Sequence, residues 1–159
     1  MSFLTFTVLG DPQPQGSMRA FIPKGWSRAV LTSSNKKMKP WRQEVAGTAL
    51  AEMEKAGLEC SDNGVPFRLA LVFRFKRPKS VRKTVLYKTT HPDTDKLIRA
   101  ILDALTGIVW YDDAQVVEIH AKKEFGEQPG AKITFWELDN LPPGRALEHQ
   151  AIKDDELAF

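Results

Sequence analysis

The chain has 159 residues, 42% hydrophobic and 27% charged, with a formal net charge of +3. That length fits one domain, and the composition excludes disordered, collagen-like and membrane-embedded classes. A single cysteine, Cys60, excludes an intramolecular disulfide framework, and neither a signal-peptide pattern nor a long apolar run is present, so we expect a reduced, cytoplasmic chain with no membrane partner.

Residues 3–9, FLTFTVL, set Leu4, Phe6 and Val8 against Thr5 and Thr7, the two-residue period of a strand with one buried face. The stretch from Gly10 to Pro40 is rich in Gly, Pro, Gln, Ser and Lys and shows no period. A connection that long in a compact domain is more often functional than idle. From Pro40 or Trp41 to Gly57 the pattern turns helical, with Trp41, Val45, Ala49, Met53 and Ala56 three or four residues apart and Gly57 as a stop. In the next strand Val65, Phe67, Leu69, Leu71, Phe73 and Phe75 face one way and Arg68, Arg74 and Lys76 the other. Basic residues on the second face predict a strand that is half buried at most.

Between Asn63 and Pro92 there is no Asp or Glu, while Arg68, Arg74, Lys76, Arg77, Lys79, Arg82, Lys83 and Lys88 all fall inside. A run of one sign suits a polyanion, with nucleic acid ahead of a membrane surface because no amphipathic or lipidation signal accompanies it. Taken alone, an ordinary solvated loop explains such a run equally well.

A second helix follows from Asp95 to Leu105, with Leu97, Ile98, Ile101, Leu102 and Leu105 as its apolar stripe and Gly107 at its end. Two more strands lie near Gln115–Lys123 and Ala131–Leu138. The order β, α, β, α, β, β predicts an α/β (α+β) fold over residues 1–140: a mixed sheet of four or more strands with two main helices on one face. Residues 141–159 read as a polar C-terminal tail.

Residues 91–113, HPDTDKLIRAILDALTGIVWYDD, put Asp93 and Asp95 at the mouth of the second helix and Asp112 and Asp113 beyond its far end. A helix cap explains one of the first pair, and a turn explains the second pair. Two carboxylates side by side repel, which calls for a nearby cation. Arg99 stands one helical turn after Asp95 on the same face, with Asp103 a further turn along; an exposed ion pair is the ordinary reading. Residues 95–106 span roughly 18 Å as a helix and residues 107–113 reach at most about 23 Å when extended. GIVWYDD is therefore long enough to return Asp112 or Asp113 to Asp93 and Asp95. A calcium loop is excluded because the segment turns apolar at once, and zinc is disfavoured by scattered histidines and one cysteine. His91 reads as an ordinary loop histidine.

The segment PDTDKLIRAILDALTGIVWYDDAQVV resembles the signature of the RusA-type Holliday junction resolvases: an Asp-x-Asp-Asn start, a basic residue one helical turn later, an AxxDAL helix and Asp-Asp-Ala-Gln-Val leading into a strand. VLGDPQPQGSMR and FKRPKS are similar to segments of phage-type members, so the resemblance covers residues 4–137. It implies a metal-dependent endodeoxyribonuclease that resolves four-way junctions by paired hydrolysis as a homodimer. Nucleases of other branched or single-stranded DNA, and a non-catalytic DNA-binding module, are the rival readings.

By the resemblance, Asp93, Asp95 and Asp113, with Asp112 as a neighbour, hold Mg²⁺ or Mn²⁺, and such a metal lowers the pKa of a bound water and neutralises phosphate charge. Arg99 stands where the family has a catalytic lysine, and Lys96 where it has asparagine. Arginine is effectively always protonated, which leaves Arg99 the stabilisation of transition-state charge or the orientation of Asp95. Pro14, Gln15, Gly16, Ser17, Arg19, Lys76, Arg77, Lys79, Arg82, Lys83, Lys88 and Lys96 are the expected DNA contacts. Phe125 and Trp136 are candidates for a dimer surface.

Overall fold

A computed structural model of the chain describes residues 2–16, 18–33 and 35–140, with backbone alone at residues 18, 19 and 31–33. Ser17 and the expected tail at residues 141–159 lie outside the described residues, as does the side chain of Arg19. In chain order the elements are β1 (Phe3–Leu9), β2 (Met18–Phe21), β3 (Val30–Ser33), α1 (Met38–Ala56), β4 (Phe67–Lys76), α2 (Thr94–Leu105), β5 (Val116–Gly126) and β6 (Gly130–Glu137), with a 3₁₀ turn at Asp113–Gln115 before β5.

The main sheet is mixed and runs β1-β6-β4-β5, with β4 parallel to β5 and antiparallel to β6. Parallel neighbours cannot be joined by a tight turn, and the crossover from β4 to β5 is the segment that carries α2. Trp41, Val45, Ala49 and Met53 of α1 and Leu97, Ile101 and Leu105 of α2 pack with Phe6, Val8, Leu69, Leu71, Phe73, Ile133 and Phe135 in one core. The two helices thus cover one face of a four-stranded mixed sheet, as the element order predicts. Pro40 is tolerated inside α1 because it lies in the first turn, where backbone N–H groups have no intrahelical acceptor.

Two expectations are corrected. Part of the Gly10–Pro40 stretch is a β2–β3 antiparallel pair, Met18 opposite Ser33 and Phe21 opposite Val30, which no alternation announces. The second face of β4 is also covered: Ala70 and Val72 are 1% and 0% exposed. As the central strand, β4 has neighbours on both sides, and Arg68–Glu118 at 2.8 Å and Arg74–Glu124 at 2.9 Å lay ion pairs across that face. Phe125 and Trp136 are half buried within the chain, whereas Tyr111, Val117 and Ile119 beside the outer strand β5 are 65%, 64% and 37% exposed.

Gly130 closes the sheet at the β1 end. A Cβ there would fall onto the carbonyl oxygen of Val8, so only glycine lets β6 approach β1 in this register. Among the described residues no helix is long and apolar enough to cross a membrane.

Candidate active site at the mouth of the second helix

Asp93 occupies the N-cap position of α2 with extended backbone (φ −70°, ψ 140°), and its carbonyl accepts the first helical hydrogen bond, from Leu97 at 3.2 Å. Its side chain does not cap the helix. One carboxylate oxygen lies 2.8 Å from His91 Nδ1 and the other 3.6 Å from Lys96 Nζ. The cap explanation therefore accounts for the backbone of Asp93 and not for its carboxylate. Asp95 and Arg99 are exposed, share a helix face and form no ion pair with each other or with any other described residue. Asp103, a further turn along, is drawn to α1 instead and pairs with Arg42 at 3.4 Å, a helix-to-helix contact.

The loop after β1 is tied to this mouth. The N–H of Gln15 donates to the carbonyl of Lys96 at 2.9 Å, and the Asn35 amide donates to the carbonyl of Pro14 at 3.0 Å. Pro14, Gln15 and Gly16 thereby form one wall of a cleft of about 650 Å³ that Lys88, Asp93 and Lys96 also line. The sequence-based choice of those six residues is brought together in space.

The basic segment is ordered. Its chain turns at Val81 and Val85 and then docks on the outer edge of β5, where Leu86 O accepts from Phe125 N at 2.8 Å and Lys88 N donates to Lys123 O at 3.2 Å. Arg77 donates to the carbonyls of Arg82 and Val85 and lies 5.1 Å over the Phe125 ring, so part of its role is to hold the loop. Lys88 sits over Phe75 and Phe125 and donates to Thr90 Oγ1 at 2.6 Å. Partial burial, with Lys123 nearby, holds its ammonium below the ordinary lysine range. Lys76, Lys79, Arg82 and Lys83 are exposed.

Asp113 is not brought to Asp93 within one chain. Gly107 adopts φ 78° and donates to Trp110 O at 2.7 Å, so the chain curls at the end of α2 instead of running back along it. Burial of Val109 and Trp110, 1% and 0% exposed, pins that curl, and Ser61 N donates to Val109 O. Asp113 then directly precedes β5, whose start pairs with Phe67, whereas the Asp93 mouth is tied to Lys123 near the other end of the strand. Seven strand residues separate those ends by about 23 Å. The extended reach was sufficient, and hydrophobic packing decides against using it. Among the described residues no three His, Cys, Asp or Glu side chains are placed to hold a metal ion, so one chain by itself does not fit a three-carboxylate metal site.

An aspartate pair at a helix mouth, a cleft beside it and an ordered basic loop form the frame of a nuclease, and the model of the Endodeoxyribonuclease RusA family matches residues 11–135. The chain belongs to the RusA endodeoxyribonuclease family. It is 29% identical over 140 residues, 87% of this chain and 99% of the relative, to the uncharacterized protein YqaN of Bacillus subtilis (strain 168). It is also similar to the crossover junction endodeoxyribonuclease rusA of Lactococcus phage r1t, 32% identical over 87 residues, which are 54% of this chain and 66% of that protein.

In this RusA-family chain the Asp-Asp-Ala-Gln signature divides its labour. Asp112 caps the 3₁₀ turn by accepting from Ala114 N at 2.8 Å, and Gln115 is a buried brace. The turn explanation thus holds for Asp112, while Asp113 is left exposed beside it. Two contacts around the α2 mouth were not legible in the sequence: His91 on Asp93, which the residue order leaves as a loop histidine, and Lys123, whose Nζ donates to the carbonyls of Thr90 and Pro92 just before Asp93. Lys123 sits in a strand pattern that also contains Lys122, and nothing in the spacing sets one apart from the other.

Proposed function

We propose that this endodeoxyribonuclease cuts four-way junctions and related branched DNA in pairs of opposed strands, as a two-fold homodimer that uses Mg²⁺ or Mn²⁺. The observation that carries the reading is the cleft at the α2 mouth, where Asp93 meets Pro14, Gln15, Gly16, Lys88 and Lys96. Carboxylates suit hard divalent cations, and lysines and arginines around them suit phosphates. In this reading Arg99 stabilises the negative charge that builds on the scissile phosphate, and Lys76, Lys79, Arg82 and Lys83 set position on the flanking backbone without reading bases.

Within one chain Asp93 and Asp11 line the cleft and Asp95 lies in the adjoining first turn of α2, so the third of the family's aspartates in this reading is Asp113 of the partner subunit. The β5 edge supports that arrangement. Its Lys123–Phe125 end is taken by Leu86 and Lys88, and the N–H and C=O groups of Val117, Ile119 and Ala121, in phase with those two, face outward. An exposed edge with apolar side chains is a surface that proteins normally cover. Antiparallel pairing of two such strands about Ile119 sets the start of one β5 against the Lys123 end of the other.

A strand-labelled four-way junction incubated with the chain and Mg²⁺ tests the proposal. Paired symmetric nicks in opposed strands support it. Cuts confined to flaps, forks or single strands assign a different branched-DNA nuclease, and binding without cutting makes the chain a DNA-binding module. Ile119→Lys, followed by light scattering, checks the edge: a monomer that no longer cuts supports it, and an unchanged dimer removes it.

A further inference from the structure

Lys123 stands where the pattern of β5 calls for an apolar residue. In register it pairs with Phe73, and Phe125 two residues on pairs with Phe75, so its side chain leaves the sheet on the face that carries the core. It has no carboxylate partner among the described residues. Its ammonium donates instead to two main-chain carbonyls, Thr90 at 2.9 Å and Pro92 at 2.7 Å. Those carbonyls bracket His91, and the second is joined by a peptide bond to Asp93. Its own carbonyl accepts from Lys88 N, so strand residue 123 holds the returning loop at two levels.

We propose that Lys123 is the positioning residue of the acidic pair: it fixes the backbone from Thr90 to Asp93 against the sheet and so sets where the Asp93 carboxylate points. The inference rests on the reading of Asp93 and Asp95 as the reacting carboxylates. An ammonium suits the task because charge-assisted bonds to carbonyls are stronger than neutral ones, and because Lys123 holds the backbone without occupying the Asp93 carboxylate, which keeps its contacts with His91 and Lys96. Misplacement of a reacting group by about 1 Å costs on the order of 10²-fold in rate.

The test compares Lys123→Met, which keeps the stem and loses the donors, with Lys123→Arg, which restores two donors. On a four-way junction with Mg²⁺, Lys123→Met lowers kcat about 10²-fold while the Kd for the junction stays within about twofold, and Lys123→Arg recovers most of the rate. Amide hydrogen exchange of residues 93–97 reads positioning independently of cutting: it accelerates in Lys123→Met, returns in Lys123→Arg and stays unchanged in β4. Exchange that accelerates equally in β4 overturns the proposal, since Lys123 then supports the whole fold. A weakened Kd with full kcat overturns it as well and makes Lys123 a phosphate contact. Exchange confined to residues 93–97 in a chain that cuts no junction leaves the positioning intact and removes only the proposed function.

Discussion

Gln115 and Asp112 hold each other across one 3₁₀ turn: the Gln115 side-chain oxygen accepts from Asp112 N at 2.9 Å, and the Asp112 carboxylate accepts from Ala114 N at 2.8 Å. The Gln115 amide then donates to the carbonyls of Asp62 and Val65, both at 2.9 Å, which bolts the start of β5 to the chain leading into β4. Removing it leaves part-buried acceptors unpaired, so Gln115→Leu costs about 1–3 kcal/mol and Asp112→Ala about 1 kcal/mol in urea unfolding. Asp113→Asn leaves stability within about 0.5 kcal/mol, as an exposed substitution should, and abolishes cutting. Urea curves and a junction-cleavage assay on the three variants separate brace from chemistry.

The opposite placement of Asp93 and Asp113 makes a complementation experiment decisive. Asp95→Asn and Asp113→Asn are each inactive alone. Refolded together, a mixed dimer has one doubly defective site and one intact site if carboxylates are shared between subunits, and single-strand nicking returns. If each chain completes its own site, both sites stay defective and the mixture remains dead.

Arg99 carries a charge with no described partner on the helix face of Asp95. Arg99→Met should lower kcat by about 10²–10³-fold with little change in junction affinity, the magnitude of losing one transition-state charge stabiliser. Arg99→Lys retains a point charge and loses the planar fork, so its rate falls between the two. A pH–rate profile that keeps its shape in Arg99→Lys agrees with a purely electrostatic role, in which the side chain passes no proton.

Gly130 has no room for a methyl group beneath the Val8 carbonyl. Gly130→Ala must push β1 from β6 and should cost about 1–3 kcal/mol, read as a lower urea midpoint with unchanged m-value.

Glu118 gives a pH signature. A hydrogen bond with His120, opposed by desolvation and reinforced by Arg68, holds its carboxyl below the usual glutamate range. A carboxyl depressed in the folded state adds stability that is present above its unfolded value and is lost as pH falls through the folded one. Glu118 and Arg68 are partly exposed, so the effect is small and screened by salt. Thermal melts from neutral pH into the acid side of the carboxylate range should fall less steeply for Glu118→Gln than for the wild type.

The alternation of Leu4, Phe6 and Val8, the stripe of α1 and the Phe67–Phe75 ladder determined the elements by themselves, because burial on one face imposes a period that local sequence must carry. The Asp-x-Asp start, Arg99 and the basic run were equally legible, since charge and helix spacing are local facts. Tertiary structure alone decided that Asp113 stays at the far end of α2, because packing of Val109 and Trp110 sets a curl that chain length permits either way. It alone covered the second face of β4, through ion pairs between residues fifty positions apart. And it alone turned Lys123 inward to the carbonyls of Thr90 and Pro92, since such a contact depends on which loop returns to which strand and leaves no trace in the spacing of either.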